Sequence, residues 1–170
     1  MESRESKLLP VRSQHVARAL AAAGVLGEVR ELSESTRTAA EAADALGCDV
    51  GAIANSLIFI SDDEPVLVMT SGRHKVDTAA LAARWGRGKL RRATAEQVRQ
   101  ATGQAIGGVA PVGHPQPLPT VVDEALADYS QVWSAAGTPR TVFPTTAAEL
   151  EELTGGRLLP VGPQQGTGSG

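Results

Sequence analysis

Two apolar runs around a short acidic turn constrain the fold of this chain more than any other feature. They are residues 55–60 (NSLIFI) and 65–70 (PVLVMT), and the residues between them, 61–64, read Ser-Asp-Asp-Glu. Strand-like runs joined by so few turn-forming residues predict a β-hairpin. Both runs are almost continuously apolar, so we expect both strands to lie in the middle of a sheet that is covered on its two faces.

The first of these strands begins with two polar residues, Asn55 and Ser56. Polar side chains at the mouth of a buried strand often reach into a pocket. They can also simply cap the end of the preceding turn, and the sequence leaves both interpretations open.

The rest of the chain alternates irregularly between helix and strand signals. Thr38, Thr94 and Thr146 each stand three residues before a Glu or Gln, a spacing typical of helix starts. We predict helices at residues 13–23, 38–47, 79–85, 94–101 and 146–153, helical turns at 50–54 and 123–128, and further strands at 28–32, 89–92, 120–122, 131–135, 140–143 and 157–161.

This order predicts an α+β fold with a mixed or mainly antiparallel sheet. We expect one domain over residues 1–161, with a flexible arm at 1–10 and a disordered tail at 162–170.

Composition argues against several classes of function. Cys48 is the single cysteine, so neither an intramolecular disulfide nor a cysteine-based zinc site can form. His15, His74 and His114 lack the spacing of metal-binding motifs, and we expect no metal and no cofactor. No apolar run reaches about 18 residues, so we predict no membrane span and a cytoplasmic location.

Positive charge is concentrated in one segment of an otherwise acidic chain. The net charge is −3, yet residues 73–92 hold seven Lys or Arg and one acid, Asp77. Such a stripe can offer phosphates a docking face, or it can be a solvated surface.

A glycine- and proline-rich stretch at residues 105–117 (AIGGVAPVGHPQP) has three glycines, three prolines and a histidine. Gly107 and Gly108 permit positive φ and a close approach of ligand to backbone N–H groups. A concavity lined by N–H groups suits a carbonyl oxygen or an oxyanion, and His114 could act there as a base or orient water. The stretch could equally be a turn between strands, with His114 an exposed loop residue.

Several segments together resemble one known family. They are residues 38–43 (TAAEAA), 53–59 (IANSLIF), 107–113 (GGVAPVG), 122–124 (VDE), 132–133 (VW) and 149–156 (ELEELTGG). In this order and spacing they resemble the YbaK/EbsC family. These proteins are the editing domains inserted in bacterial prolyl-tRNA synthetases and the free-standing aminoacyl-tRNA deacylases. The resemblance extends over about residues 13–161.

The resemblance implies a mixed, barrel-like sheet with helices packed around it, and hydrolysis of the ester that links a mischarged amino acid to tRNA. The family's Gly-x-x-x-Pro loop corresponds to Gly107 and Pro111 here. By resemblance, backbone N–H groups at Gly107, Gly108 and Ala110 would hold the carbonyl, and water or a substrate hydroxyl or thiol would attack it. The implied partners are the aminoacyl 3′ end of tRNA and an aminoacyl-tRNA synthetase, with no membrane and no metal.

One residue departs from the family pattern. Editing members carry a lysine where Asn55 stands, and that lysine is thought to engage the phosphate of the terminal nucleotide. Asn55 keeps hydrogen-bonding ability and lacks the charge. Arg73 or Lys75 could supply a charge to tRNA instead. The expected pocket lining is Thr38, Asn55, Ser56, Leu57, Phe59, Met69, Ile106 and Pro111.

Two functions therefore remain open. The first is a trans-acting aminoacyl-tRNA deacylase for a small amino acid. The second is a catalytically silent module that binds a small molecule or an aminoacyl group, which the Asn55 substitution favours. Hydrolysis of another small ester or amide is a third hypothesis, with less support from the sequence.

Overall fold

The computed structural model describes residues 9–33, 36 and 38–163. Within them lie five α-helices and eight β-strands. The helices are α1 (Val11–Ala22), α2 (Ala39–Leu46), α3 (Thr78–Trp85), α4 (Ala95–Thr102) and α5 (Ala147–Thr154). The strands are β1 (Arg30–Glu31), β2 (Ile53–Ser61), β3 (Glu64–Ser71), β4 (Arg91–Arg92), β5 (Thr120–Asp123), β6 (Val132–Ala135), β7 (Thr141–Thr145) and β8 (Arg157–Leu159). Short 3₁₀-helices occupy Val50–Ala52 and Glu124–Asp128.

The strands form one mixed sheet in the order β1-β7-β6-β2-β3-β5-β8, and β4 pairs with β2 beside this path. The pairs β2–β6, β3–β5 and β5–β8 are parallel, and the others are antiparallel. The predicted α+β class with a mixed sheet is confirmed. The expected barrel-like sheet needs a correction, because the end strands β1 and β8 each pair with one neighbour and the sheet does not close into a barrel.

The predicted hairpin is confirmed as β2 and β3, with Ser61 opposite Glu64 at the turn. Asp62 and Asp63 both have positive φ, at 52° and 64°. Two successive positive φ values are typical of the tight turns that match the twist of a hairpin, and aspartate tolerates them better than most residues.

Helices cover both faces of this hairpin, as the two apolar runs predict. On one face, Met69 and Ile58 pack with Val98 of α4 and Leu150 of α5. On the other face, Phe59, Val66 and Val68 pack with Leu81 of α3. α2 packs against Ile53 and Trp133, and α1 against Phe143. None of the helices in the described ranges is long and apolar enough to cross a membrane.

Local capping signals place the helix starts. The hydroxyls of Thr38, Thr94 and Thr146 each accept the N–H of the residue three positions on, as predicted. Asp49, at the start of the turn predicted at 50–54, makes no cap bond. Its carboxylate accepts the hydroxyl of Tyr129 instead. The predicted arm at 1–10 and tail at 162–170 lie almost wholly outside the described residues.

A buried carboxylate ties two neighbouring strands together at their ends. Asp123, at the end of β5, is 1% exposed. Its Oδ2 accepts the Ser71 N–H (2.9 Å), the Thr70 hydroxyl (3.3 Å) and His74 Nδ1–H (2.9 Å), and its Oδ1 accepts the Ala125 N–H (2.9 Å). Both carboxylate oxygens therefore accept hydrogen bonds, so this position requires a side chain with a hydrogen-bond acceptor at each of its two terminal atoms.

We predict that Asp123→Asn lowers the free energy of unfolding by about 2–4 kcal/mol, because in either orientation the amide NH₂ faces a backbone N–H. Asp128→Asn is the matched control. Its side chain is 68% exposed and pairs with Arg73 at the surface, so we expect a change within about 0.5 kcal/mol. Urea denaturation measures the free energy of unfolding of both variants. Equal losses in the two variants would contradict the role given to Asp123.

Candidate functional site

A cavity of about 230 Å³ opens along one edge of β2. On that edge β2 pairs with β6 at Ile53 and Ala54 and with β4 at Phe59 and Ile60. The opposite edge is occupied by β3 along the length of the strand. Among the described residues, 55–57 therefore have no strand partner on the cavity side, and this gap is the floor of the cavity.

The floor carries two polar side chains. Asn55 is exposed. Ser56 is partly buried, and its Oγ is the one buried side-chain oxygen or nitrogen in the described structure without a hydrogen-bond partner. A buried hydroxyl without a partner is unfavourable, so Ser56 has a hydrogen-bonding capacity that the fold does not use.

The glycine-rich loop forms one wall. Gly107 has φ +94°, a conformation that side chains with a Cβ rarely adopt. Within the described residues, no hydrogen bond occupies the N–H of Gly107 or of Val109. Ile106, Gly107 and Val109 all line the cavity. The wall thus contains two backbone N–H groups that have no hydrogen-bond partner among the described residues.

The alternate N–H groups of the loop are engaged by the fold. Gly108 donates to Ala105 O (3.1 Å), and its own carbonyl accepts Gly137 N–H (2.9 Å). A Cβ on Gly108 would lie 2.4 Å from the backbone carbon of Thr138, so no side chain fits there. Ala110 is fully buried and donates to Gln104 Oε1 at 2.7 Å.

Gln104 holds the loop to the end of α4. It is 2% exposed, and its Nε2 donates to Val112 O at 3.1 Å while its Oε1 accepts from Ala110. Its own N–H donates to the hydroxyl of Thr102, the last residue of α4. One amide therefore fixes the loop on both sides of Pro111 and sets the wall of the cavity.

The family model of the aminoacyl-tRNA editing domain matches residues 33–153, most of the chain and all of this site. The chain belongs to this family.

Sequence and structural similarity to other proteins supports this family assignment. This editing domain is 30% identical over 128 residues to the uncharacterized protein YwhH of Bacillus subtilis, covering 75% of this chain and 81% of that protein. It is 26% identical over 131 residues to EbsC of Enterococcus faecalis, a candidate Cys-tRNA(Pro)/Cys-tRNA(Cys) deacylase, covering 72% and 80% of the two chains. A solved structure described as a candidate trans-editing enzyme for prolyl-tRNA synthetase superposes with a TM-score of 0.87 at 44% identity, covering 92% of this chain and 99% of that one.

The structure brings six of the residues predicted for the site to the cavity. They are Thr38, Asn55, Ser56, Leu57, Ile106 and Gly107. The side chains of Met69 and Phe59 do not line it, because each is almost fully buried in a core cluster. Met69 lies on β3, on the edge of β2 away from the cavity. Pro111 is buried behind the wall.

Three of the four residues predicted to be catalytic, Gly108, Ala110 and His114, do not line the cavity. The Gly108 N–H is already donated to Ala105 O. The Ala110 N–H is already donated to Gln104, so it is not available to hold a carbonyl in this structure. His114 lines a second cavity of about 450 Å³ on the far side of the loop, together with His15 and Arg12. Its Nε2–H donates to Ala110 O at 2.8 Å, and burial lowers the pKa of the ring below its ordinary value. Neutral His114 therefore stabilises the loop from behind.

The cations predicted for tRNA binding are not at the cavity. Arg73 donates to the hydroxyl of Tyr129 (3.0 Å) and pairs with Asp128 (3.4 Å) near the end of β3, and Lys75 does not line the cavity. Arg92, Trp133 and Ser134 also line the cavity, although none of them was predicted as a site residue. For Arg92, the sequence feature that could have indicated a role in binding is its position in the basic segment at residues 73–92. In the ranges that the structure describes, no three His, Cys, Asp or Glu side chains come together to hold a metal.

We predict that Gln104→Met lowers the free energy of unfolding by about 1–3 kcal/mol, because it leaves the buried Ala110 N–H without an acceptor. Amide hydrogen exchange at Ala110 should become faster as well. Gln100→Met, on the exposed face of α4, is the control and should change neither quantity. If the two variants exchange and unfold alike, the bonds of Gln104 do not hold the loop.

Proposed function

We propose that this editing domain acts in trans on aminoacyl-tRNA and hydrolyses the ester of a small, wrongly attached amino acid. The observation that carries the proposal is the pair of unused N–H groups, at Gly107 and Val109, in the wall of a 230 Å³ cavity. Family membership supports it, as does the similarity to a candidate Cys-tRNA deacylase and to a candidate trans-editing enzyme.

In the proposed reaction, the ester carbonyl oxygen lies against the N–H groups of Gly107 and Val109. As the nucleophile attacks, negative charge develops on that oxygen, and fixed donors in a cavity sheltered from water stabilise it without rearranging. Gly108 allows the loop to pack against Thr138. Gln104, Pro111 and His114 keep the wall in place, so the donors are oriented before substrate arrives.

The nucleophile is proposed to be water, or a hydroxyl or thiol of the substrate. The described lining of the cavity contains no Asp, Glu, His, Cys or Lys that could act as a general base. Attack forms a new bond to the carbonyl carbon and breaks its bond to the ribose oxygen. The products are the amino acid, or its cyclised form where its own side chain attacks, and a tRNA with a free terminal hydroxyl, which takes up the proton of the nucleophile.

The aminoacyl end is proposed to contact Thr38, Asn55, Ser56, Leu57 and Ile106. Against mostly apolar walls, one methylene more or less in the amino acid changes binding by only about 1–3 kcal/mol. Selection of the amino acid therefore depends on the polar groups, with the Ser56 hydroxyl foremost. Contact of Arg73 and Lys75 with tRNA lies outside the cavity and stays a prediction, as does an aminoacyl-tRNA synthetase as partner.

We predict that Gly107→Ala lowers kcat for deacylation by about 100-fold, the loss typical of removing one oxyanion donor. A Cβ at Gly107 meets no atom within 4 Å, but φ +94° strains any residue that has one, so the loop shifts and the donors move. Gly155→Ala is a matched control, since it has φ +69° and equally open surroundings at the end of α5. We expect it to lose stability and to keep kcat. Unchanged kcat in Gly107→Ala would refute the role of the loop.

The proposal is tested directly on a panel of mischarged tRNAs: alanyl, cysteinyl and seryl esters on the proline acceptor, and seryl esters on the threonine and alanine acceptors. We predict rapid release of one amino acid by the unmodified chain, with hydrolysis in buffer as the blank. Asn55→Lys distinguishes the alternative. A silent parent whose Asn55→Lys variant is active would favour a binding module that has lost its chemistry, and an active parent excludes that function.

A further inference from the structure

Arg92 is the one ionisable residue among the described residues that line the cavity. It lies on β4, opposite Phe59 of β2, so its position follows from the strand pairing that closes one end of the gap. Its guanidinium lies 5.9 Å from the centre of the Phe59 ring, which is 2% exposed. The guanidinium of Arg92 thus lies over the edge of the core, at a residue that also lines the cavity.

No carboxylate in the described ranges neutralises this charge. Arg73, Arg87 and Arg140 each pair with an acid, namely Asp128, Glu64 and Glu31. Among the residues that the structure describes, Arg92 pairs with none. Arg92 is exposed and lines the cavity, so its unpaired positive charge is available to an anion that enters there.

We propose that Arg92 binds the phosphodiester next to the terminal nucleotide of tRNA, an inference that rests on the proposed function. The aminoacyl ester itself carries no negative charge, and its ammonium group is repelled by a guanidinium. The nearest anion of the substrate is the phosphate that joins the last two nucleotides. A guanidinium matches the geometry of phosphate oxygens with two parallel hydrogen bonds.

This contact also orients the substrate. With the phosphate at Arg92, the ester lies near the neighbouring Ile106 and Val109, and the aminoacyl group extends along the cavity toward Thr38. Specificity for a nucleic acid and specificity for an amino acid then come from different residues that line one cavity.

The chain provides a matched control in the adjacent residue. Arg91 is also exposed, has the same charge and belongs to the same strand. It pairs with Ile60 and does not line the cavity. Comparing Arg91→Gln with Arg92→Gln therefore separates a specific contact from a general loss of positive charge.

The experiment measures hydrolysis of two substrates, the preferred aminoacyl-tRNA and the corresponding aminoacyl-adenosine, which has the ester and no phosphate. We expect Arg92→Gln to lower kcat/KM for aminoacyl-tRNA by about 10-fold, mainly through KM, as for one charged hydrogen-bonding contact. The slope of log kcat/KM against log salt should become shallower by about 0.7, the value for one single-strand phosphate. Aminoacyl-adenosine should be hydrolysed equally by the parent and by both variants. Arg92→Lys should recover part of the loss.

Equal losses on both substrates would overturn the proposal, because they would show that Arg92 supports the cavity and does not contact phosphate. Equal losses in Arg91→Gln and Arg92→Gln would overturn it as well, in favour of a diffuse charge effect. Hydrolysis of neither substrate by the parent would instead refute the proposed function. In that case, titration with the dinucleotide CpA, which has a single phosphodiester, decides the role of Arg92. Weaker binding to Arg92→Gln than to Arg91→Gln supports the contact, and equal binding overturns it.

Discussion

The cavity depends on the way β2 exchanges partners along one edge. β6 pairs with it as far as Ala54 and β4 joins at Phe59. Backbone N–H and C=O groups that face the cavity between these two points have no neighbouring strand to bond to. Burying such groups without hydrogen-bond partners would cost several kcal/mol. The cavity is open at this point, where Asn55 is exposed, so solvent or a ligand can reach these groups. The otherwise apolar central strand has its two polar residues, Asn55 and Ser56, at this gap.

The second constraint is the alternation of N–H groups along the glycine-rich loop. The N–H groups of Gly108 and Ala110 bond to the protein, and among the described residues those of Gly107 and Val109 have no partner. The bonds of Gly108 and Ala110 hold the loop in the conformation that leaves the other two N–H groups unpaired. A loop held only by its ends would leave those donors to bond water or one another, so the buried side chain of Gln104 matters as much to the wall as the glycines do.

Local signals in the sequence predicted the structural features that depend on only a few neighbouring residues. The hairpin turn, the threonine caps and the positive φ of Gly107 follow from side-chain chemistry within four or five positions. Features that depend on distant pairing were not predictable. Arg92 reaches the cavity through two residue pairs with β2, whereas Arg73 and Lys75, in the same basic segment, lie elsewhere. Met69 has the expected apolar character, but it lies on the other edge of β2. The N–H of Ala110 was expected to face substrate, and only the position of Gln104 in three dimensions shows that it is already bonded.

The charge of the cavity limits the chemistry that it can support. Its described lining holds one cation and no acid or base that titrates near neutral pH, so it cannot transfer protons in the manner of a catalytic triad. In the proposed function, it holds a carbonyl against fixed donors and an anion against a guanidinium. Rate enhancement would then come from orientation and from stabilisation of developing charge, with the nucleophile supplied by water or by the substrate. An activated ester suits this arrangement better than an amide does. Its alkoxide leaving group needs less help from an acid, and an aminoacyl-tRNA ester has hydroxyl groups of its own beside the scissile bond.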